Sequence, residues 1–200
     1  MKNIAKKVLV VLMAVLMIGA MAACAPAADS DTKTVSLGTS ADYPPFEFIY
    51  LDDQGAQQYA GIDVSLAKKL AADMDAELNV VNMNFDSLMA SLEKGDVDFV
   101  IAAVEVTEDR LKSADFSEPY YTDLPAMILV KADKAAEFTG IESFADKNVG
   151  AQSGTTKADI VNNDMPGAKF VGLTSVIDLV NELMYGKCDA IVLDGAVSMD

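Results

Sequence analysis

One arginine stands among fourteen lysines in this chain, at position 110. Lysine carries a point charge on a flexible stem. Only arginine offers the planar fork that grips a carboxylate through two parallel hydrogen bonds. Arg110 closes the run Val106-Thr107-Glu108-Asp109-Arg110, just beyond an apolar stretch that reads as a strand. A ligand carboxylate is one use for it there; surface pairing with Glu108 or Asp115 is the other. A second anion site is indicated by Gln152-Ser153-Gly154-Thr155-Thr156, which follows a strand ending at Ala151 and opens a helix. Exposed N–H groups and hydroxyls at a helix start suit a carboxylate, and the segment is one glycine short of any phosphate-loop pattern. Asp194 offers the opposite charge to an ammonium, or an N-cap to the next helix. Tyr43, Phe46, Phe48 and Tyr50 gather around Pro44-Pro45. Tyr43 reads as an exposed ring that can stack on a ligand. Phe46 and Phe48 alternate with Glu47 and read as core. Phe85, just ahead of a helix, is the second ring candidate.

What is missing is as informative. The chain has no histidine and no tryptophan. That removes serine–histidine and cysteine–histidine catalysis and every metal site that needs imidazole. Thirty-one acids against fifteen bases give a net charge of -16. A nucleic-acid-binding surface is basic, so no nucleic-acid partner is expected. Two cysteines, Cys24 and Cys188, cannot make a disulfide framework. Cys188 sits in an apolar run and reads as a small buried hydrophobe.

The elements that must position these residues alternate between strand and helix. Strands are expected at Val35–Thr39, Leu78–Val81, Val97–Ala103, Ala126–Val130, Asn148–Ala151, Lys169–Val171 and Cys188–Leu193. Helices are expected at Asp63–Met74 with Asp63 as N-cap, at Phe85–Lys94 ended by Gly95, at Thr155–Asn162 and at Ser175–Tyr185. Alternation with continuous apolar strands predicts an α/β fold with mostly parallel sheets covered on both faces. An internal echo supports two lobes of similar plan. Shifted by 91 residues, Leu88 falls on Leu179, Leu92 on Leu183, Gly95 on Gly186, Asp98 on Asp189 and Ile101 on Val192. Ligands of open α/β sheets bind beyond the carboxyl ends of the strands, which singles out Ala103 to Arg110 and Asp194.

The first thirty residues read as an export signal. Lys2, Lys6 and Lys7 precede an uncharged apolar run of 16 residues, Val8 to Ala23. Met21-Ala22-Ala23-Cys24 resembles a bacterial lipobox, in which the cysteine is acylated and becomes the new N-terminus. The expected layout is a signal peptide over 1–23, a lipid-anchored tether over 24–33, a first lobe over 34–122 and a second lobe over 123–200. The place expected is extracytoplasmic, at the membrane through acylated Cys24.

Six segments in order carry a family resemblance: Gly38 to Phe48, Gly61 to Ala67, Val106 to Arg110, Asp115 to Tyr121, Gly154 to Thr156, and Asp189 to Asp194. The series resembles family 3 of the bacterial extracellular solute-binding proteins, the polar amino-acid receptors of ABC importers. The resemblance implies a two-lobed, type II periplasmic-binding-protein-like fold that closes on a free amino acid, with no catalysis and no cofactor, and an importer permease in the membrane as partner. It implies that Arg110 takes the ligand α-carboxylate with backbone help at Thr156 and Glu105. It gives Asp194 to the α-ammonium, has Tyr43 and Phe85 sandwich the side chain, and makes Ala102 and Ala103 the floor. Gln152 belongs to the second anion segment, and Ser40 offers no carboxylate to the far end of the ligand. Three departures stand out. Ser65 replaces an acid on a helix face. Glu105 replaces the serine or threonine that meets the α-ammonium. Family members continue past the counterpart of Asp194, so the second lobe is expected to be incomplete. Glu105 beside Asp194 predicts a cleft that favours a cationic ligand, unless Glu105 pairs with a lysine such as Lys157. The same fold also serves as a sensor domain of membrane kinases and, rarely, as a lyase or a murein-cleaving enzyme.

Overall fold

The last apolar run forms the centre of a sheet. β10, Ala190–Leu193, is buried at every residue, because a strand flanked on both sides and covered on both faces has no wet face to leave polar. The computed structural model describes residues 33–199. The signal segment, Cys24 and all of the tether except Lys33 lie outside the described residues, as does Asp200.

Two sheets organise the chain. In the first, β1 (Thr34–Thr39) lies between β5 (Glu77–Asn82) and β6 (Phe99–Val100), all parallel. In the second the order is β7 (Met127–Val130), β10, β8 (Asn148–Gln152), β9 (Lys169–Leu173). Here β10, β8 and β9 are parallel and β7 is antiparallel to β10. A third, antiparallel sheet is a meander of β2 (Asp42–Tyr43), β3 (Glu47–Leu51) and β4 (Gln57–Ala60). The helices are α1 (Ile62–Asp73), α2 (Leu88–Lys94), α3 (Thr156–Asp164), α4 (Val176–Met184) and the short α5 (Gly195–Ser198). Leu37, Ala67 and Ile101 form the core of the first sheet. Val149, Ala158, Val161 and Val192 pack one face of the second sheet. On its other face Leu179, Cys188 and Ile191 join Tyr43 and Phe46 from the meander in one cluster. Cys188 is 1% exposed, and burial first, then Glu182 and Asp189, push its thiol pKa up.

The 91-residue echo is present at atomic detail. Gly95 and Gly186 both end a helix with φ near +75° (75° and 76°), the left-handed conformation glycine adopts without cost. Asp98 and Asp189 then each bond a neighbouring strand start twice. Asp98 accepts the Ser36 N–H at 2.7 Å and donates its own N–H to the Ser36 carbonyl at 2.9 Å. Asp189 does the same to Asn148, at 2.8 Å in both directions.

Three expectations change. The strand expected at Val97–Ala103 is laddered only at Phe99–Val100. The run is apolar because it is buried, with Val97 2%, Ile101 9% and Ala102 1% exposed, while Ala103 turns the chain away at φ 47°. Asp63 does not cap α1. Gly61 holds the N-cap position, and Asp63 sits in the first turn, fully buried, accepting the Ala103 N–H at 2.7 Å and the Tyr120 hydroxyl at 2.8 Å. Of the two rings read as core, Phe46 is buried and Phe48 only half-buried; both lie in a meander of Asp42 to Ala60 in which the Pro44-Pro45 peptide bond is cis. Among the described residues no helix is long and apolar enough to cross a membrane.

Candidate functional site

Four strand ends converge. Beyond the carboxyl end of β1 lies Ser40, beyond β6 lie Ala102, Ala103 and Glu105, at the end of β8 lies Gln152, and beyond β10 lies Asp194. They line a cleft enclosing about 300 Å³ of empty space, its open mouth included. Tyr43, Glu47, Phe85, Thr155 and Lys157 complete the lining. Within each sheet, parallel strands carry their following loops to one edge, and here the two edges meet, Tyr43 reaching Asp194 151 positions away.

Tyr43 and Asp194 are locked together. The Tyr43 hydroxyl donates to Asp194 Oδ2 at 2.7 Å and accepts the Asp194 N–H at 3.2 Å. Burial, then the Asp194 charge, push the phenol pKa well up, so it stays a donor. Tyr43 is 8% exposed and packs on Phe46 with ring centroids 6.2 Å apart. The expected exposed ring is therefore buried, and it is its hydroxyl that meets Asp194. Asp194 does stand at the N-cap position of α5, but its side chain makes no cap bond there. Its other oxygen, Oδ1, is 2.6 Å from the Lys157 ammonium.

Lys157 is 5% exposed and in the first turn of α3. Besides Asp194 it donates to Glu105 Oε2 at 2.9 Å and to Thr156 Oγ1 at 3.2 Å. The Thr156 hydroxyl also donates to Glu105 Oε2. Burial raises the Glu105 pKa, but Thr156, Lys157 and Arg110 together hold it below the usual range. Glu105 thus pairs with Lys157, and the cleft holds a second cation that the motifs do not place there.

Arg110 lies beside this cluster, half-buried. Nη1 donates to the Glu105 carbonyl at 2.7 Å and Nη2 to the Gly154 carbonyl at 3.0 Å. Its Cζ sits 5.3 Å from the Phe85 ring centroid, a cation–π contact. Neither Glu108 nor Asp115 is its partner; two of its five donors are spent on backbone. The Gln152 segment is built as a cap. The Thr155 hydroxyl donates to the Gln152 carbonyl at 2.7 Å and accepts the Ala158 N–H at 3.3 Å, while Gln152 Nε2 donates to the Thr174 carbonyl at 2.9 Å. Ser40 Oγ is 3.5 Å from Asp42 Oδ1, and Asp42 Oδ2 accepts the Val176 N–H at 2.8 Å.

Glu47 is the residue the sequence concealed. It is 1% exposed, hydrogen-bonded to Asp63, and its Oε2 has no protein partner. Alternation with Phe46 and Phe48 makes it look like a solvent-facing strand residue. Among the described residues no group of three or more acids, cysteines or histidines is arranged to hold a metal ion.

Comparison with known proteins gives the same picture. Residues 35–165 match the family described as bacterial extracellular solute-binding proteins, family 3. The ABC transporter arginine-binding protein 1 of Escherichia coli (strain K12) is 33% identical over 168 residues, 84% of this chain and 66% of that protein. The arginine-binding extracellular protein ArtP of Bacillus subtilis (strain 168) is 34% identical over 201 residues, 96% of this chain and 74% of that one. The chain thus spans about two-thirds to three-quarters of these relatives. The substrate-binding protein AbpA of Streptococcus pneumoniae, solved bound to L-arginine, superposes with a TM-score of 0.79 at 31% identity, covering 83% of this chain and 69% of that one. With the two sheets, the strand-end cleft and these matches agreeing, the chain belongs to the bacterial extracellular solute-binding proteins, family 3.

Proposed function

We propose that this chain is the extracytoplasmic receptor of an ABC amino-acid importer and that its ligand is a cationic amino acid, L-arginine first. The observation that carries this is the set of acceptors in the cleft. Glu105 and Asp194 already hold one ammonium, that of Lys157, and Glu47 lines the same cleft with an oxygen that no protein donor meets. Arg110 keeps donors for the ligand α-carboxylate, and Asp194 faces the α-ammonium. Glu47, with an oxygen that lacks a partner, suits the cationic end of the side chain. Phe85 flanks the ligand, Ala102 and Ala103 offer backbone, and Ser40, Gln152 and Thr156 border the site. The named arginine binders among the relatives support this choice. Residues 34–122 and 123–200 then act as the two closing lobes, the protein is a receptor and not an enzyme, and a membrane permease takes up its cargo.

The test is calorimetric competition among L-arginine, L-glutamine and L-glutamate. Arginine should bind tightest; glutamate binding tightest would overturn the choice of a cationic ligand. The same proposal places the protein at the membrane through an acylated Cys24. Labelled palmitate should enter the wild-type protein in cells, and Cys24→Ala should abolish both label and membrane fractionation. Retention of the Cys24→Ala variant in the membrane fraction would refute the lipid anchor.

A further inference from the structure

Lys157 is bonded as a ligand amine would be. Its three N–H donors are matched by three acceptors: Asp194 Oδ1 at 2.6 Å, Glu105 Oε2 at 2.9 Å and Thr156 Oγ1 at 3.2 Å. Two of these acceptors are the carboxylates that would meet a ligand α-ammonium. Asp194 Oδ2 is already held by the Tyr43 hydroxyl, so an arriving amine competes with Lys157 for Oδ1. The position of Lys157 makes that exchange feasible. It lies in the first turn of α3, where the positive end of the helix dipole disfavours a cation. The two carboxylates and the Thr156 hydroxyl hold it there, and its four-carbon stem lets the ammonium swing away without moving the helix.

We infer that Lys157 is an internal occupant of the ammonium subsite: a ligand amine binds by displacing it from Asp194, so Lys157 sets how strongly the receptor discriminates for an α-amino group. This rests on the receptor reading above. A ligand that brings an α-carboxylate and a cationic side chain but no α-amine leaves Lys157 in place and forfeits little.

The experiment measures L-arginine and its desamino analogue, 5-guanidinopentanoic acid, on wild type, Lys157→Gln and Lys157→Arg. In wild type, removing the ligand amine should cost less than tenfold in affinity. A loss of a hundredfold or more would overturn the inference, and this measurement needs no variant. In Lys157→Gln, arginine should bind at least tenfold tighter while the analogue gains nothing. Lys157→Arg should behave as wild type. An equal change for both ligands, or weaker arginine binding, in Lys157→Gln would make Lys157 a structural or carboxylate-binding residue. Binding of neither ligand to wild type or variant would instead remove the receptor reading, and the inference with it.

Discussion

Arg110 and Glu47 are opposite lessons at the scale of a residue. Arg110 was legible because it is the one arginine, and a fork is chosen over a point charge for a reason. Arg110→Lys keeps the charge and loses two directed bonds and the flat face over Phe85. Amino-acid binding measured by calorimetry should weaken by about 1.5–3 kcal/mol, the scale of charge-assisted hydrogen bonds; unchanged affinity would assign the fork to structure alone. Glu47 carries no such signal, since its neighbours give a strand alternation and nothing marks the cleft side as wet or dry. Lys157 was legible as the alternative partner of Glu105, which it is, but nothing in the sequence marked its second bond, to Asp194. Burial first, then the Asp63 charge, raise the Glu47 carboxyl to about 11. The folded protein therefore keeps a proton that the unfolded chain releases near 4.5. Between those values the native state binds more protons, so stability falls as pH rises. Glu47→Gln removes that linkage, and without ligand its melting temperature should decline less between pH 6 and 9 than that of wild type. Parallel slopes for the two proteins would show that Glu47 is ionised in the fold.

At the scale of the element, the repeated unit reaches further than the sequence comparison indicated. Leu88 and Leu179 close over Gly38 of β1 and Gly150 of β8 respectively. A Cβ on Gly38 would meet Val97 Cγ2 at 3.1 Å and Leu88 Cδ2 at 3.4 Å. A Cβ on Gly150 would meet Leu179 Cδ2 at 2.8 Å and Cys188 Sγ at 3.2 Å. Each glycine lets a helix leucine rest directly on the strand. Gly150→Ala should therefore destabilise by about 1–3 kcal/mol in urea unfolding, the cost of overpacking a filled core, and by more than Gly38→Ala. The reverse order would mean that the second helix yields more easily than the first. Helix, glycine stop and buried strand were readable because periodicity and capping are local. Strand direction was not. β7 is as apolar as its parallel neighbours, and only tertiary pairing makes it antiparallel. The ladder of β6 was over-read because an apolar run reports burial, not hydrogen bonding.

At the scale of the molecule, the fold class and the strand-end location of the site followed from alternation and from the rule for open sheets. What joins the two sheets did not, because those bonds link residues far apart in the chain, from Arg110 on Gly154, 44 positions away, to Tyr43 on Asp194, 151 away, with no shared motif. One of them is the Asp42 side chain on the Val176 N–H, 134 residues away. α4 has its own cap in Ser175, which accepts the Asp178 N–H. Its first amide is nevertheless satisfied from the meander, which belongs to the other of the two proposed lobes. If those lobes separate, that amide turns to water, and when they close it is sheltered again. Val176 is thus a built-in clock for opening, readable by amide hydrogen exchange in the unmodified protein. Saturating L-arginine should slow exchange at Val176 far more than at Asp178, whose cap stays within its own helix. Equal slowing at both would mean that ligand stabilises the helix as a whole, and that opening, if it occurs, hinges elsewhere.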